Sequence, residues 1–226
     1  MNRIPENGAM NDPDEVDSYD RLSKNFLGLV EKLFVNRAIT LLKRSKLQEN
    51  PKVLDVGTGT ANIPIQFARK VPAAHIIALD LSNNMLKKAR SNIKEAGLEN
   101  RIFLICADAN QLPFKDESFQ LVICHSIIHH LSNPLPTIHE IIRVTNKGFR
   151  FIIRDLRRPP SLILELYVRI FGFHYDWLMK KMYRESLHAG FTFNEIKKIT
   201  GSIKGAFIRA RKFFITHVGF EGIRNK

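Results

Sequence analysis

From residue 52 onward the apolar residues fall into short runs separated by segments of helical period. Residues 52–56, 75–79, 102–107, 119–125 and 149–153 read as strands, with 62–70, 83–96 and 135–145 as amphipathic helices between them. Alternation of this kind predicts a parallel sheet covered by helices on both faces, with ligands bound at the carboxyl ends of the strands. Upstream, Phe26, Leu29, Val30, Leu33, Ile39, Leu41 and Leu42 recur mostly at helical spacing within 16–46, which predicts one or two helices before the core. Residues 1–16 are polar and turn-rich and read as a mobile tail. Downstream of Pro159-Pro160 an aromatic segment, 162–183, interrupts the alternation. A helix at 193–199 follows, then two closing strands at 206–211 and 213–218, antiparallel if a short turn joins them. The expected architecture is one α/β domain, doubly wound around a mostly parallel seven-stranded sheet. Its parts are a flexible tail at 1–16, a helical cap at 17–47, a ligand-binding core at 51–156, a helical lid at 159–190 and a closing helix and strands at 193–226.

Composition adds a polarity to this plan. The chain of 226 residues carries a net charge of +13, and residues 147–226 hold 17 Lys+Arg against 6 Asp+Glu, so the basic character belongs to the last third. Such a face either attracts an anionic substrate, RNA or membrane surface, or is simply solvated. Cys106 and Cys124 both fall in apolar strand-like runs, which suits small buried thiols in a reducing compartment. The N-terminus has acids and turn formers where a signal peptide needs a basic end and an apolar run, and charges interrupt every long apolar stretch. A cytoplasmic location is expected.

The strongest local signal is Val53-Leu54-Asp55-Val56-Gly57-Thr58-Gly59-Thr60-Ala61, a strand entering a glycine loop and then a helix. Gly57 and Gly59 allow a tight turn and close approach of a ligand to the backbone. A dinucleotide dehydrogenase has a comparable loop, and the later Asp80 fits that pattern too. However, Asp55 suits the ammonium of an amino acid and would repel a pyrophosphate, and Asn62 stands where the dinucleotide pattern needs glycine. Asp80, closing the second strand, can accept two ribose hydroxyls, and Asp108, after the third, an exocyclic adenine amine, with Leu81 and Met85 against the ring. Three acids at successive strand ends outline one ligand.

Taken together, Asp55-Val56-Gly57-Thr58-Gly59, Leu79-Asp80-Leu81-Ser82, Ala107-Asp108-Ala109 and Leu112-Pro113-Phe114 resemble the successive motifs of class I S-adenosylmethionine-dependent methyltransferases over residues 50–156. The resemblance implies a Rossmann-like fold and S-adenosylmethionine as methyl donor, with S-adenosylhomocysteine as product. It assigns the methionyl part to Asp55 and the loop Gly57, Thr58 and Gly59, the ribose to Asp80, and the adenine to Asp108, with Leu81, Met85, Ala109 and His125 completing the contacts. The departure is Ala61, where many members carry a third glycine. Asp116-Glu117-Ser118-Phe119 and Ser126-Ile127-Ile128-His129-His130-Leu131 are similar to the small-molecule subgroup of the ubiquinone and menaquinone C-methyltransferases, and Tyr19-Asp20 resembles that subgroup's cap over the cofactor.

Around the expected reaction centre several readings stand side by side. His125 and His129 are candidate general bases, or a packing and hydrogen-bonding element. No third ligand at suitable spacing accompanies them, so no metal is expected. Arg154 either forks an acidic acceptor or belongs to an internal ion network with Asp155. The aromatic lid, with Tyr175 and Tyr183, either closes an apolar acceptor pocket with Tyr19, or lies on a membrane through Arg169, Lys180, Lys181 and Arg184, or packs on the core or a second subunit. The expected partner is a small-molecule acceptor, with membrane, RNA and homodimer contacts left open. Alternatives to transfer onto a small, apolar or aromatic acceptor are an RNA methyltransferase and a cofactor-binding module without activity. Against base methylation, Cys124-His125-Ser126-Ile127 lacks the Asn/Asp-Pro-Pro-aromatic motif, and Ile123 stands where cytosine C5 enzymes have proline before the cysteine.

Overall fold

The computed structural model describes residues 3–6, 8, 10–45 and 49–226, and only the backbone of Phe26. The parts of the predicted tail and cap at residues 1, 2, 7, 9, 46 and 47, and the apolar contribution of Phe26, lie outside the described residues. The expected alternation is present as β1 (Lys52–Val56), α3 (Asn62–Lys70), β2 (His75–Asp80), α4 (Asn83–Glu95), β3 (Ile102–Cys106), β4 (Phe119–His125), α5 (Leu135–Val144) and β5 (Thr145–Leu156). Before it come α1 (Pro13–Leu22), a π-helical turn (Ser23–Leu27) and α2 (Gly28–Lys43). After it come α6 (Leu164–Phe171), α7 (Trp177–Ala189), α8 (Phe193–Ser202), β6 (Ala206–Phe213) and β7 (His217–Arg224). The sheet has seven strands in the order β3-β2-β1-β4-β5-β7-β6. β1 to β5 pair in parallel, and β7 runs antiparallel to both β5 and β6.

The strands alternate their side chains between two apolar cores. Val53, Ile76 and Ile123 pack against Phe34, Ala38, Phe67 and Ile93 from α2, α3 and α4 on one face. Leu54, Val122 and Phe151 pack against Ile138, Ile141 and Ile196 from α5 and α8 on the other. Helix starts are fixed by side-chain caps: Asp12 accepts from the amides of Asp14 and Glu15 ahead of α1, Ser82 from Met85 ahead of α4, and Thr192 forms a reciprocal box with Glu195 ahead of α8.

Four features differ from expectation. The final strand is not at 213–218: that apolar run straddles a hairpin turn in which Phe214 takes φ +59°, and the strand begins at His217. Helix α1 begins inside the expected tail, because Asp12 caps it and Pro13 supplies a helical φ at its first position. Two described residues ahead of it are tethered: Arg3 donates from Nη2 to the carbonyls of His129 and Leu131 at 2.7 and 2.6 Å, and Ser82 Oγ donates to Met10 O at 2.6 Å. Cys106, expected inside, is exposed at the end of edge strand β3, while Cys124 is buried.

Candidate active site

The carboxyl ends of β1, β2 and β4 open into one cavity of about 690 Å³, closed from the far side by α1, α2, α6 and α7. The turn after β1 forms its polar end. Gly57 has φ +75° and Gly59 φ +55°, conformations that disfavour a side chain, and a Cβ at Gly57 would lie 2.0 Å from Ile127 Cγ2. Ala61 takes φ +67°, left-handed backbone that glycine adopts without penalty, which accounts physically for a glycine at this place in related loops. The Gly57 and Thr58 amides donate to Leu79 O at 2.8 and 2.9 Å, and the Gly59 amide donates to Asp80 Oδ2 at 2.8 Å. Asp80 Oδ1 accepts from the Ser82 amide at 2.9 Å, so each carboxylate oxygen keeps a lone pair for a ligand. Burial raises the Asp80 pKa, and the backbone amides of Ser82, Gly59 and Leu81 oppose that rise.

Asp55 lies beneath the loop and does not line the cavity itself, being 1% exposed. Its Oδ2 is buried without a hydrogen-bond partner among the described residues. Burial first, then the nearby Asp80 and Glu31 carboxylates, push its pKa up to about 7. Glu31, on α2, is also raised to about 7 by burial, although Ser23, Asn62 and Gln66 donate to it. The Tyr19 ring sits against the glycine loop, and burial with Glu31, Asp80 and Asp55 nearby raises its hydroxyl pKa. Tyr19 thus stands at the polar end of the cavity. Asp108, two residues beyond β3, is exposed at the rim, accepting from the Asn110 amide at 2.8 Å, with Leu81, Met85 and Ala109 also on the lining. Asn62 ties the cap down through Ser23 and Glu31. Asn92 does the same, donating to Asp20 Oδ1 at 2.7 Å and Thr60 O at 2.9 Å.

The rest of the lining is largely apolar and aromatic, with Leu22, Leu27, Met182, Phe171, Tyr175 and Tyr183, and Tyr19 packs against this group as well. Tyr175 and Tyr183 meet edge to face at 5.3 Å, and burial raises the pKa of both hydroxyls, that of Tyr175 to about 12. His125, His129 and His217 also line the cavity. His125 closes β4 with its Nε2 against Arg154 Nη2, its ring edge-on to Phe34, and its pKa held well below the ordinary value by burial and by Arg154. His217, also on the lining, is depressed to about 3 by burial and Arg154. Next to His125, Ser126 takes φ +55°, a strained conformation at the carboxyl end of β4.

His129 is the reverse case. Its Nδ1 is 2.6 Å from Asp155 Oδ1 and its Nε2 is 3.4 Å from Glu6 Oε2. Burial works against charging it, but Asp155 and then Glu6 outweigh burial and raise its pKa to about 9. It is a buried cation between two carboxylates at neutral pH. Neither histidine therefore presents a free basic nitrogen to the cavity in this arrangement. Arg154 is corrected as an acceptor contact: it is buried off the cavity, donates from Nη1 to Val30 O at 2.8 Å, and lies 4.6 Å over the Phe34 ring. The third donor that sequence spacing does not reveal is Glu6, whose carboxylate clusters with the His129 and His130 nitrogens within 4.8 Å. No sequence motif marks Glu6, Glu31 or His217, since each comes from a segment outside the strand–loop–helix motifs.

A family model described as a methyltransferase domain matches residues 47–205. The chain belongs to that family, in its class I S-adenosylmethionine-dependent branch. It is 34% identical over 143 residues to the demethylmenaquinone methyltransferase of Listeria monocytogenes (serovar 1/2a), covering 63% of this chain and 59% of that protein. It is 27% identical over 165 residues to the ubiquinone/menaquinone biosynthesis C-methyltransferase UbiE of Pseudomonas aeruginosa (strain LESB58), covering 73% and 63%. The chain thus spans less than two thirds of the length of these relatives. Its fold is shared with a candidate S-adenosylmethionine-dependent methyltransferase from Methanococcus maripaludis, at TM-score 0.75 and 17% identity over 99% of this chain and 98% of that one.

The residues present fit the cofactor of this class. The spare lone pairs of Asp80 match a pair of hydroxyls, the rim formed by Leu81, Met85 and Asp108 matches a flat polar-edged ring, and Asp55 bears on the loop from beneath.

Proposed function

We propose that this chain transfers a methyl group from S-adenosylmethionine to a small, apolar or aromatic acceptor by direct in-line displacement. One observation carries the reading: a single cavity is lined both by the glycine loop with Asp80 and by aromatic side chains of the lid. The sulfonium supplies a good leaving group, so alignment of the two reactants can contribute most of the rate. In this reading Asp55 and Asp80 orient the cofactor, Tyr19 covers it, and Tyr175 and Tyr183 hold the acceptor and exclude water. His129 lies on the lining with its ring nitrogens held by Asp155 and Glu6. A general base is then needed only for acceptors that arrive protonated, and His129 fills that role only after losing its proton to solvent or Glu6.

The names of the curated relatives make quinones the first acceptors to assay. Isothermal titration with S-adenosylhomocysteine, followed by product formation with reduced quinones and simple phenols, tests the proposal. Absence of cofactor binding overturns it, and binding without transfer to any acceptor favours the inactive-module alternative. The RNA reading draws on the basic final third, but part of that charge is engaged within the fold. Arg158 binds Gly190 O at 2.9 Å, Arg211 reaches Glu221 at 2.5 Å, and Arg224 donates to Thr145 O at 2.7 Å.

A further inference from the structure

The mouth of the cavity carries the most exposed large apolar side chains on the lid. Leu162, Leu166 and Ile170 recur every four residues and form one stripe along the start and length of α6. Leu162 is 97% exposed, and the stripe continues into Phe173 at 65% and Trp177 at 77%. The β6–β7 turn extends it, since Tyr167 Oη on α6 lies 3.4 Å from Ile215 O and the adjacent Phe214 is exposed. This surface is continuous with the interior, because Ile170 and Phe173 belong at once to the exposed stripe and to the cavity wall. Scattered exposed apolar residues need no explanation, but a contiguous apolar lip around a cavity mouth does.

Its charge identifies the partner. Arg169 flanks the stripe on α6, and Lys180 follows Trp177 by three residues on α7, while Lys181 stands close to Glu15 of α1. Glu165, the acid on α6, is neutralised by Arg184 at 2.7 Å. An apolar stripe edged with cations and carrying a tryptophan at its tip is complementary to an anionic bilayer, with the apolar side chains among acyl chains and the cations among headgroups. We propose that this lip docks the protein on an anionic membrane surface, so that the cavity opens into lipid and takes a membrane-dissolved acceptor. The inference rests on the apolar-acceptor reading above and names where that acceptor resides.

Trp177 is the only tryptophan in the chain and reports on its own burial. Its emission should shift to the blue on adding phosphatidylglycerol-containing vesicles, and lipids with brominated acyl chains should quench it. Pure phosphatidylcholine vesicles or high salt should weaken the response. The double variant Leu162→Glu/Leu166→Glu should lose about tenfold or more in vesicle partitioning while binding S-adenosylhomocysteine as before, which shows it folded. Unchanged emission with vesicles, or equal partitioning of the variant, overturns the proposal. So does a blue shift without lipid that grows with protein concentration, since a second copy then covers the lip. No cofactor or acceptor is present in the vesicle experiment, so its failure leaves the transfer reading intact. Failure of transfer in turn leaves the vesicle result intact.

Discussion

Asp155 grips His129 twice, accepting from its ring Nδ1 at 2.6 Å and from its backbone amide at 3.1 Å, while both side chains are nearly inaccessible to solvent. The pairing depresses the Asp155 pKa against the effect of burial and raises that of His129 to about 9. A histidine pKa raised on folding contributes stability that is complete below its unfolded value and is lost as pH rises through the folded one. Unfolding free energy should therefore fall by a few kcal/mol, about 3 from this group, between roughly pH 6.5 and 9.5. Urea denaturation across that window checks this, and His129→Asn should flatten the slope. Asp155→Asn leaves a buried cation unpaired and should cost about 3–5 kcal/mol at neutral pH.

Asp55 is predicted to trade stability for binding. With its pKa pushed up to about 7 by burial and two neighbouring carboxylates, ionising it costs folding energy that grows as pH rises from the ordinary carboxylate range to 7. Asp55→Asn removes that cost while keeping the shape, so the ligand-free protein should gain about 1–3 kcal/mol at pH 8. The same change removes the counter-charge for the cofactor's ammonium and should weaken S-adenosylhomocysteine binding about 10- to 100-fold. Thermal unfolding with and without the ligand separates the two effects. A destabilised Asn variant would contradict the assignment.

The two loop glycines should respond unequally to alanine. At Gly57 the new methyl group would meet Ile127 Cγ2 at 2.0 Å on backbone with φ +75°, whereas at Gly59 the nearest atom is Tyr19 Cε1 at 3.5 Å. Gly59→Ala should cost only the left-handed penalty of about 1–2 kcal/mol. Gly57→Ala adds overpacking and should cost about 2–5 kcal/mol in total. Equal urea midpoints for the two variants would refute the steric argument.

The parts of this site that sequence reveals are those carried by local rules. Three successive strands run into Asp55, Asp80 and Asp108, and a glycine loop with Gly57 and Gly59 follows the first, so these residues are legible in the sequence. Helix α3 coincides with the predicted 62–70 because Ala61 and the basic end at Arg69 and Lys70 bound it locally. What spacing hides is set by tertiary contact. The short run at 213–218 is equally apolar on both sides of its turn, so only pairing of β7 with β5 fixes the register. Arg154 and His125 face each other across the β4–β5 register, and both meet Phe34 because α2 packs on those two strands. Glu6 and Glu31 enter from the N-terminal segment, where no motif marks them.

Glu6 is the residue whose substitution best separates the possible roles of His129. Its carboxylate reaches His129 Nε2 at 3.4 Å and accepts from Ser186 Oγ at 2.9 Å, and its own pKa falls because the two histidines outweigh its burial. Glu6→Gln removes one of the two charges that hold the His129 proton and leaves Asp155 in place, so the His129 pKa should drop from about 9 towards neutrality. If His129 acts as a base, the variant should reach full activity at a lower pH, with the alkaline-side rise moving down by about one unit. If the chemistry needs His129 charged, activity should instead begin to decline at a lower pH than in the parent. The pH dependence of kcat/KM, read beside unchanged S-adenosylhomocysteine binding, distinguishes the two. An unmoved profile means that His129 does not touch the chemistry and serves only to anchor the N-terminal segment over the cavity.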